Sequence, residues 1–165
     1  MCISKLDLTN ENLVIEVAKM YCRVFGEEPW NERWEIADAL LIVRNPILRW
    51  WILKDNEKVI GFIAGCMGSS EVISRVFDIP HSVVLGGRLG YKAEIGVDPE
   101  WRRRGKARLL ANQLLSFFSE SGVDQFLVRT RPGTKNYPWY DGQLDVVHTY
   151  QDGRVLFSTN SVPKL

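Results

Sequence analysis

Apolar residues recur along this chain in two rhythms, and the switches between them lay out the elements. CISKLDL, residues 2–8, alternates and reads as a first strand. Thr9 or Asn10 stands where a helix cap is expected. In NENLVIEVAKMYCRVF, Leu13, Val17, Met20 (or Tyr21) and Val24 fall at helical spacing. GEEPWNERW breaks that helix, and a second is predicted over about residues 32–43, with Pro46 marking its end. Two apolar runs, 48–54 and 59–67, flank DNEK and predict a hairpin. Residues 68–90 are ambiguous: EVISRVF reads as a short helix within a long loop, and GGRLG as a turn. A strand follows over 91–98. A helix is predicted from Arg102 to about Glu120, its apolar face drawn by Leu110, Leu114, Phe117 and Phe118. QFLVRT, 125–130, is a short buried strand. RPGTKNYPWYDGQ is broken by Pro132, Gly133, Pro138 and Gly142, and LDVVHTY and RVLFSTN close the chain as a hairpin around Asp152-Gly153.

This order, β-αα-βββ-α-β-(short helix or loop)-ββ, predicts a mixed α/β fold: one mixed sheet of six to seven strands with helices packed on it. The strand–helix–strand unit over 91–130 calls for a parallel pair with a right-handed crossover.

Composition narrows the function classes. A chain of 165 residues fits one domain over 1–165 with its own core. The formal net charge is +1, from 21 basic and 20 acidic residues, which disfavours a general polyanion binder. Cys2, Cys22 and Cys66 are odd in number and widely spaced. No CxxC is present, and His81 and His148 do not join them at metal spacing. The expectation is therefore reduced thiols in a cytoplasmic protein, with no disulfide framework and no metal. The N-terminus lacks a signal-peptide pattern, and no segment reaches the ~20 apolar residues of a membrane span.

Against that balanced background, VDPEWRRRGKARLL stands out. Arg102, Arg103, Arg104, Lys106 and Arg108 crowd the entry to a helix. A helix start leaves about four backbone N–H groups without helical partners, at the positive end of the dipole, where a phosphate is the natural ligand. Gly105 lets a ligand approach the main chain, Ala107 keeps the next turn small, and Pro99 fixes the exit from the strand. The spacing is neither that of a P-loop nor of a dinucleotide fingerprint.

The run AEIGVDPEWRRRGKARLL resembles the acetyl-CoA-binding motif of the GNAT superfamily of N-acetyltransferases: a strand ending V-x-P, then Arg/Gln-x-x-Gly-x-Gly/Ala, then an amphipathic helix. Val97, Pro99, Arg102, Gly105 and Ala107 are in register, and the element order agrees with the GNAT-type fold over nearly the whole chain. The resemblance implies that main-chain N–H groups from Arg103 through Arg104, Gly105 and Lys106 to Ala107 take the pyrophosphate of coenzyme A, with Arg102 alongside. It implies that the backbone near Ile95 and Val97 binds the pantetheine arm like an added strand. In the family the fourth and fifth strands splay apart, the thioester lies in that opening, and an N–H near Val97 polarises its carbonyl.

Amine acetylation needs a neutral nucleophile and so a base. Glu94 shares a strand face with Gly96, and several family members carry a glutamate near this place; the alternative is a solvated or salt-bridged carboxylate. Many relatives use a tyrosine after the fifth strand to protonate the leaving thiolate. Here Asn136 and Tyr140 match best, with Tyr137 as runner-up. The stretch departs from the pattern, because Pro138 interrupts a short helix and the usual Gly-Phe is missing; a tyrosine there could simply pack beside the cofactor. By analogy the acceptor site comes from the first two helices and their loop. In GEEPWNERW, Glu28, Trp30 and Trp34 are the candidates, amid Glu27, Glu32 and Glu35, because carboxylates and indole faces suit a cationic amine. Core tryptophans and a solvated first turn are the alternative. Asp141 and Asp145 could add to an acidic rim.

Cys66 reads as a buried structural thiol rather than an acyl-carrying nucleophile, and His81 and His148 as structural or surface residues. One ring of Trp50-Trp51 is expected in the core, the other on the far face or against a partner subunit, which leaves a homodimer open. The resulting expectation is an acetyl-CoA-dependent N-acetyltransferase acting on a small cationic amine by direct transfer in a ternary complex. No nucleic acid or membrane partner is expected. The alternative is a catalytically weak regulatory module that binds coenzyme A.

Overall fold

The computed structural model describes residues 1–163. Its strands are β1 (Cys2–Lys5), β2 (Arg49–Asp55), β3 (Lys58–Ser69), β4 (Arg88–Val97), β5 (Gln125–Thr130), β6 (Asp145–Thr149) and β7 (Val155–Thr159). Its helices are α1 (Glu11–Phe25), α2 (Ile36–Val43), α3 (Ser70–Phe77), α4 (Lys106–Glu120) and α5 (Tyr137–Gln143). The strands follow the order β1-β2-β3-β4-β5-β7-β6 in one sheet. β4 and β5 run parallel, in register from Leu89–Gln125 to Lys92–Val128. The pairs β1–β2, β2–β3, β5–β7 and β6–β7 are antiparallel. The mixed α/β architecture expected from the hydrophobic pattern is therefore present.

Three local expectations shift, each for a visible reason. GGRLG is only half a turn: Gly86 and Gly87 take positive φ, while Arg88 already belongs to β4. Arg88 N–H donates to Asp124 Oδ2 and the Asp124 N–H to Arg88 O, both at 2.8 Å, so pairing starts there. The helix expected from Arg102 begins at Lys106, because Arg103 (φ 60°) and Gly105 (φ 69°) are left-handed and cannot join it. Pro138 does not interrupt α5 but sits in its first turn, where its missing N–H costs no helical bond.

The chain forms two compact units. The first comprises residues 1–65 and 94–114. α1 starts at Asn10, whose Oδ1 accepts from Leu13 N–H at 3.1 Å. Its face of Val14, Val17, Tyr21, Val24 and Phe25 is buried. Around that face Tyr21, Phe25, Trp50 and Phe62 make an aromatic core, with Phe62 fully buried. Trp50 and Trp51 are both buried, so neither ring is left as an exposed far-face surface. The second unit comprises residues 66–93 and those from 115 onward. Leu89, Phe118, Phe126, Leu127 and Phe157 fill its core. Gln125 ties its loops together, donating to Val83 O and Ser158 Oγ and accepting from Leu85 N–H.

Candidate active site

In the first unit, the end of β4 is fixed by a single buried carboxylate. The Asp98 N–H donates to Ile60 O. Asp98 Oδ1 accepts from Glu100 N–H at 3.1 Å and so caps the short 3-10 turn Pro99–Trp101. Its Oδ2 receives Arg23 Nη2 at 2.8 Å, with Lys58 Nζ at 3.8 Å. Arg102 folds back over this turn: its Nε donates to Val97 O at 2.9 Å and its Nη1 to Glu27 Oε2 at 2.6 Å. Its guanidinium thus ties the strand end to the loop after α1.

The chain then bends through left-handed Arg103 and Gly105 into α4. The first N–H to reach a carbonyl at this end is that of Leu109, onto Gly105 O. The N–H groups of Lys106, Ala107 and Arg108 precede it and have no helical acceptor. No atom lies within 4 Å of where a Gly105 Cβ would stand, so the main chain is bare on that side. Among the described residues, Arg103, Arg104, Lys106 and Arg108 have no carboxylate partner. Arg104 lies against the Trp101 ring, 5.5 Å from its centroid. Four of the five cations are therefore available to an anion, and Arg102 is engaged internally.

A second feature of this unit lies on the Glu94 face of β4. A Cβ on Gly96 would stand 2.5 Å from the Phe62 ring, so glycine is required for that ring to lie against the strand. Phe62 stacks on Tyr21 at 5.9 Å. Tyr21 is 3% exposed, and Glu94, two residues before Gly96 on the same strand face, is half-buried. Burial first, then the Glu94 and Glu32 carboxylates, push the Tyr21 phenol far above the ordinary tyrosine range. Trp34 meets Tyr21 edge-on at 5.5 Å and donates its Nε1–H to Glu32 Oε2 at 2.8 Å. Trp30 meets Phe25 edge-on at 5.7 Å. Of the expected acceptor residues, Trp30 and Trp34 are thus half-buried and joined to the aromatic core. Glu28 is exposed, and Glu27 is held by Arg102. Of the acids in this loop, Glu32 joins the cluster, through the Trp34 indole.

In the second unit, Asn136 stands at the start of α5 with no side-chain cap bond. Tyr140 is 5% exposed, packed against Trp139 and Phe157, with Lys92 Nζ 5.4 Å from its ring centroid. Tyr137, half-buried, meets Phe157 edge-on. Cys66 is fully buried, and burial pushes its thiol up to about 12, which disfavours the thiolate an acyl-cysteine would need.

Sequence reasoning missed Tyr21 and Asp98. Tyr21 looked like one more apolar position on a helix, and spacing alone does not say where a phenol hydroxyl ends. Asp98 did carry a signal, since an Asp directly before Pro is a frequent turn cap.

The sequence matches the Acetyltransferase (GNAT) family over residues 14–141. None of the curated proteins compared matches it significantly. Among solved structures, it is similar to an aminoglycoside 6'-acetyltransferase type Ii, with TM-score 0.68 and 14% identity over 100% of both chains. An aminoglycoside 6'-N-acetyltransferase complexed with coenzyme A gives TM-score 0.66 and 14% identity over 100% of this chain and 99% of that one. The ribosomal-protein-S18-alanine N-acetyltransferase from Escherichia coli gives 0.63 and 14%, over 99% and 95%. At this identity the likeness is one of fold. Among the described residues no helix is long and apolar enough to cross a membrane.

Proposed function

Because the chain belongs to the acetyltransferase (GNAT) family, we propose that it moves an acetyl group from acetyl-CoA to a primary amine of a small cationic molecule, directly and within a ternary complex. One observation carries this reading: the bare main chain at Gly105, followed by N–H groups without helical acceptors and flanked by four cations that have no carboxylate partner among the described residues. That chemistry suits a pyrophosphate. Arg103, Arg104, Gly105, Lys106 and Ala107 would hold it, with the backbone at Ile95 and Val97 along the pantetheine arm and Asn136 as a further polar contact. Arg102 would act from behind, by fixing the loop through Val97 and Glu27.

Acetyl-CoA supplies the acetyl thioester, whose carbon bonds to the amine nitrogen as its bond to sulfur breaks. Glu94 removes the amine proton, a role supported by its half-buried place on β4, on the strand face of Gly96. Tyr140 supplies the proton that the leaving thiolate takes up. The cationic acceptor is supported by the acids and indoles of residues 27–35 and by two aminoglycoside acetyltransferases among the structural relatives. A cytoplasmic setting fits three unbridged cysteines.

The loop reading is tested by thermal denaturation. Acetyl-CoA should raise the Tm progressively with concentration, by about 2.7 kcal/mol of stabilisation at a hundredfold excess over Kd. No shift at millimolar acetyl-CoA would contradict it.

A further inference from the structure

The last rung of the β4–β5 ladder, in the second unit, deepens the reading above and rests on Tyr140 being the acid. We propose that Lys92 is the positioning residue for Tyr140. Its ammonium holds the phenol ring and offsets the negative charge that Tyr140 takes on as its proton passes to the leaving sulfur.

β4 and β5 stay in register as far as Lys92 and Val128. β5 then continues through Arg129 and Thr130, opposite Leu156 and Val155 of β7. Lys92 therefore stands where the parallel pairing stops. The chain leaving β5 is tied back to it. Thr130 Oγ1 and Thr134 Oγ1 lie 3.0 Å apart, and Thr134 Oγ1 donates to Arg131 O at 2.9 Å. Tyr137 N–H donates to Thr134 O, and α5 starts there. One turn on, the Tyr140 ring packs on Trp139 at 5.1 Å and on Phe157 at 5.9 Å, and Lys92 Nζ stands 5.4 Å from its centroid.

Lys92 is 7% exposed and Tyr140 5%. Buried polar groups ordinarily find a partner inside the protein. Among the described residues, however, no carboxylate pairs with Lys92, and neither polar end is hydrogen-bonded to the protein. Nor does either end belong to the fully sealed atoms that lack a hydrogen bond. The lysine stem and the phenol ring are buried while their polar ends stay reachable. A side chain needed here for packing alone would be better as methionine, which brings no charge into the core. The neighbouring cation of β5 is engaged elsewhere: Arg129 Nη1 donates to Phe77 O at 3.1 Å, and its guanidinium lies 5.0 Å from the Tyr150 centroid.

An ammonium is attracted to the face of an aromatic ring, and more strongly once that ring carries a negative charge. As the acetyl carbon bonds to the amine nitrogen, the electron pair of the carbon–sulfur bond stays on sulfur. The Tyr140 proton goes to that sulfur, which gives the free thiol of coenzyme A and a phenolate. The proton that Glu94 took from the amine, passed through solvent, restores the phenol. Lys92 keeps its own protons throughout and faces the phenolate for the interval between.

Coenzyme A release by the intact protein tests this, with acetyl-CoA and a panel of small polyamines and aminoglycosides as acceptors. K92M keeps the stem and removes the charge. It should lower kcat by about tenfold or more, with the KM for acetyl-CoA within about twofold of wild type, and K92R should recover most of kcat. In a Y140F background K92M should cost about twofold or less, because the group on which Lys92 acts is gone. Wild-type kcat in K92M, a loss that K92R does not recover, or a loss that multiplies in full with that of Y140F overturns the proposal. Should K92M fail to fold, K92Q is compared with K92R, and equal kcat in the two overturns it. The premise is read separately. Wild-type kcat in Y140F, or no release by wild type with any amine, removes the acid reading and this proposal with it. A slow Y140F beside an unaffected K92M leaves the acid reading standing and removes Lys92 alone.

Discussion

Gly105 and Tyr21 differ in how far a sequence can speak for a single residue. Gly105 announces itself by its spacing from Val97 and Arg102. The structure adds that it needs glycine for its backbone, since φ is 69° and open space surrounds the missing side chain. A β-branched residue there is strained by about 1–2 kcal/mol or more and would project onto the bare main chain. Gly105→Val should therefore weaken acetyl-CoA binding at least about tenfold, read by isothermal titration, while leaving the fold intact; wild-type affinity would contradict the loop assignment. Arg102 was legible as part of the motif, but not what its guanidinium does. Its bonds to Val97 O and Glu27 join residues 5 and 75 positions away, and no local pattern encodes the second. Tyr21 is the extreme case, because a phenol and a phenyl fill the same helical slot and differ only in a hydroxyl, whose titration is pushed up by burial and by carboxylates that include Glu94, far along the chain.

At the scale of elements, rhythm served well wherever burial is one-sided. The buried face of α1 falls where the helical rhythm puts it, and β2 and β3, buried along most of their length without alternation, fall on the two apolar runs. It served less well at ends, which capping and backbone conformation decide. β4 starts at Arg88 because Asp124 receives its N–H, a long-range bond. α4 starts at Lys106 because two left-handed residues precede it. The joint between β4 and α4 depends on Asp98, which is buried and holds Arg23, Lys58 and the Glu100 N–H at once. Replacing it by alanine should remove the cap and the ion pairs together. Asp98→Ala is expected to lose about 1–3 kcal/mol in urea denaturation, and to raise the KM for acetyl-CoA more than that for the amine. A loss below about 0.5 kcal/mol, as for an ordinary surface change, would show that this joint is held by something else.

At the scale of the molecule, element order was the most legible property, since a mixed seven-stranded sheet follows from where apolar rhythm switches period. The bulk charge was equally informative: a net charge of +1 made the basic run a local device, and among the described residues Arg103, Arg104, Lys106 and Arg108 have no carboxylate partners beside bare N–H groups. The acceptor was the least legible, because the side chains proposed to receive it come from the loop after α1 and from β4, whose meeting depends on tertiary packing. The central claim, acetyl transfer to a cationic amine with Glu94 as base, is tested most directly by coenzyme A release. Wild type and E94Q would each be given acetyl-CoA and a panel of aminoglycosides, polyamines, amino acids and peptide N-termini across pH. The account predicts amine-dependent release by wild type, strongest with small polycationic amines, and a loss of about a hundredfold or more in E94Q, within the span of general-base catalysis, with acetyl-CoA affinity unchanged. Binding of acetyl-CoA with no release for any amine, or equal release by the two proteins, would contradict it.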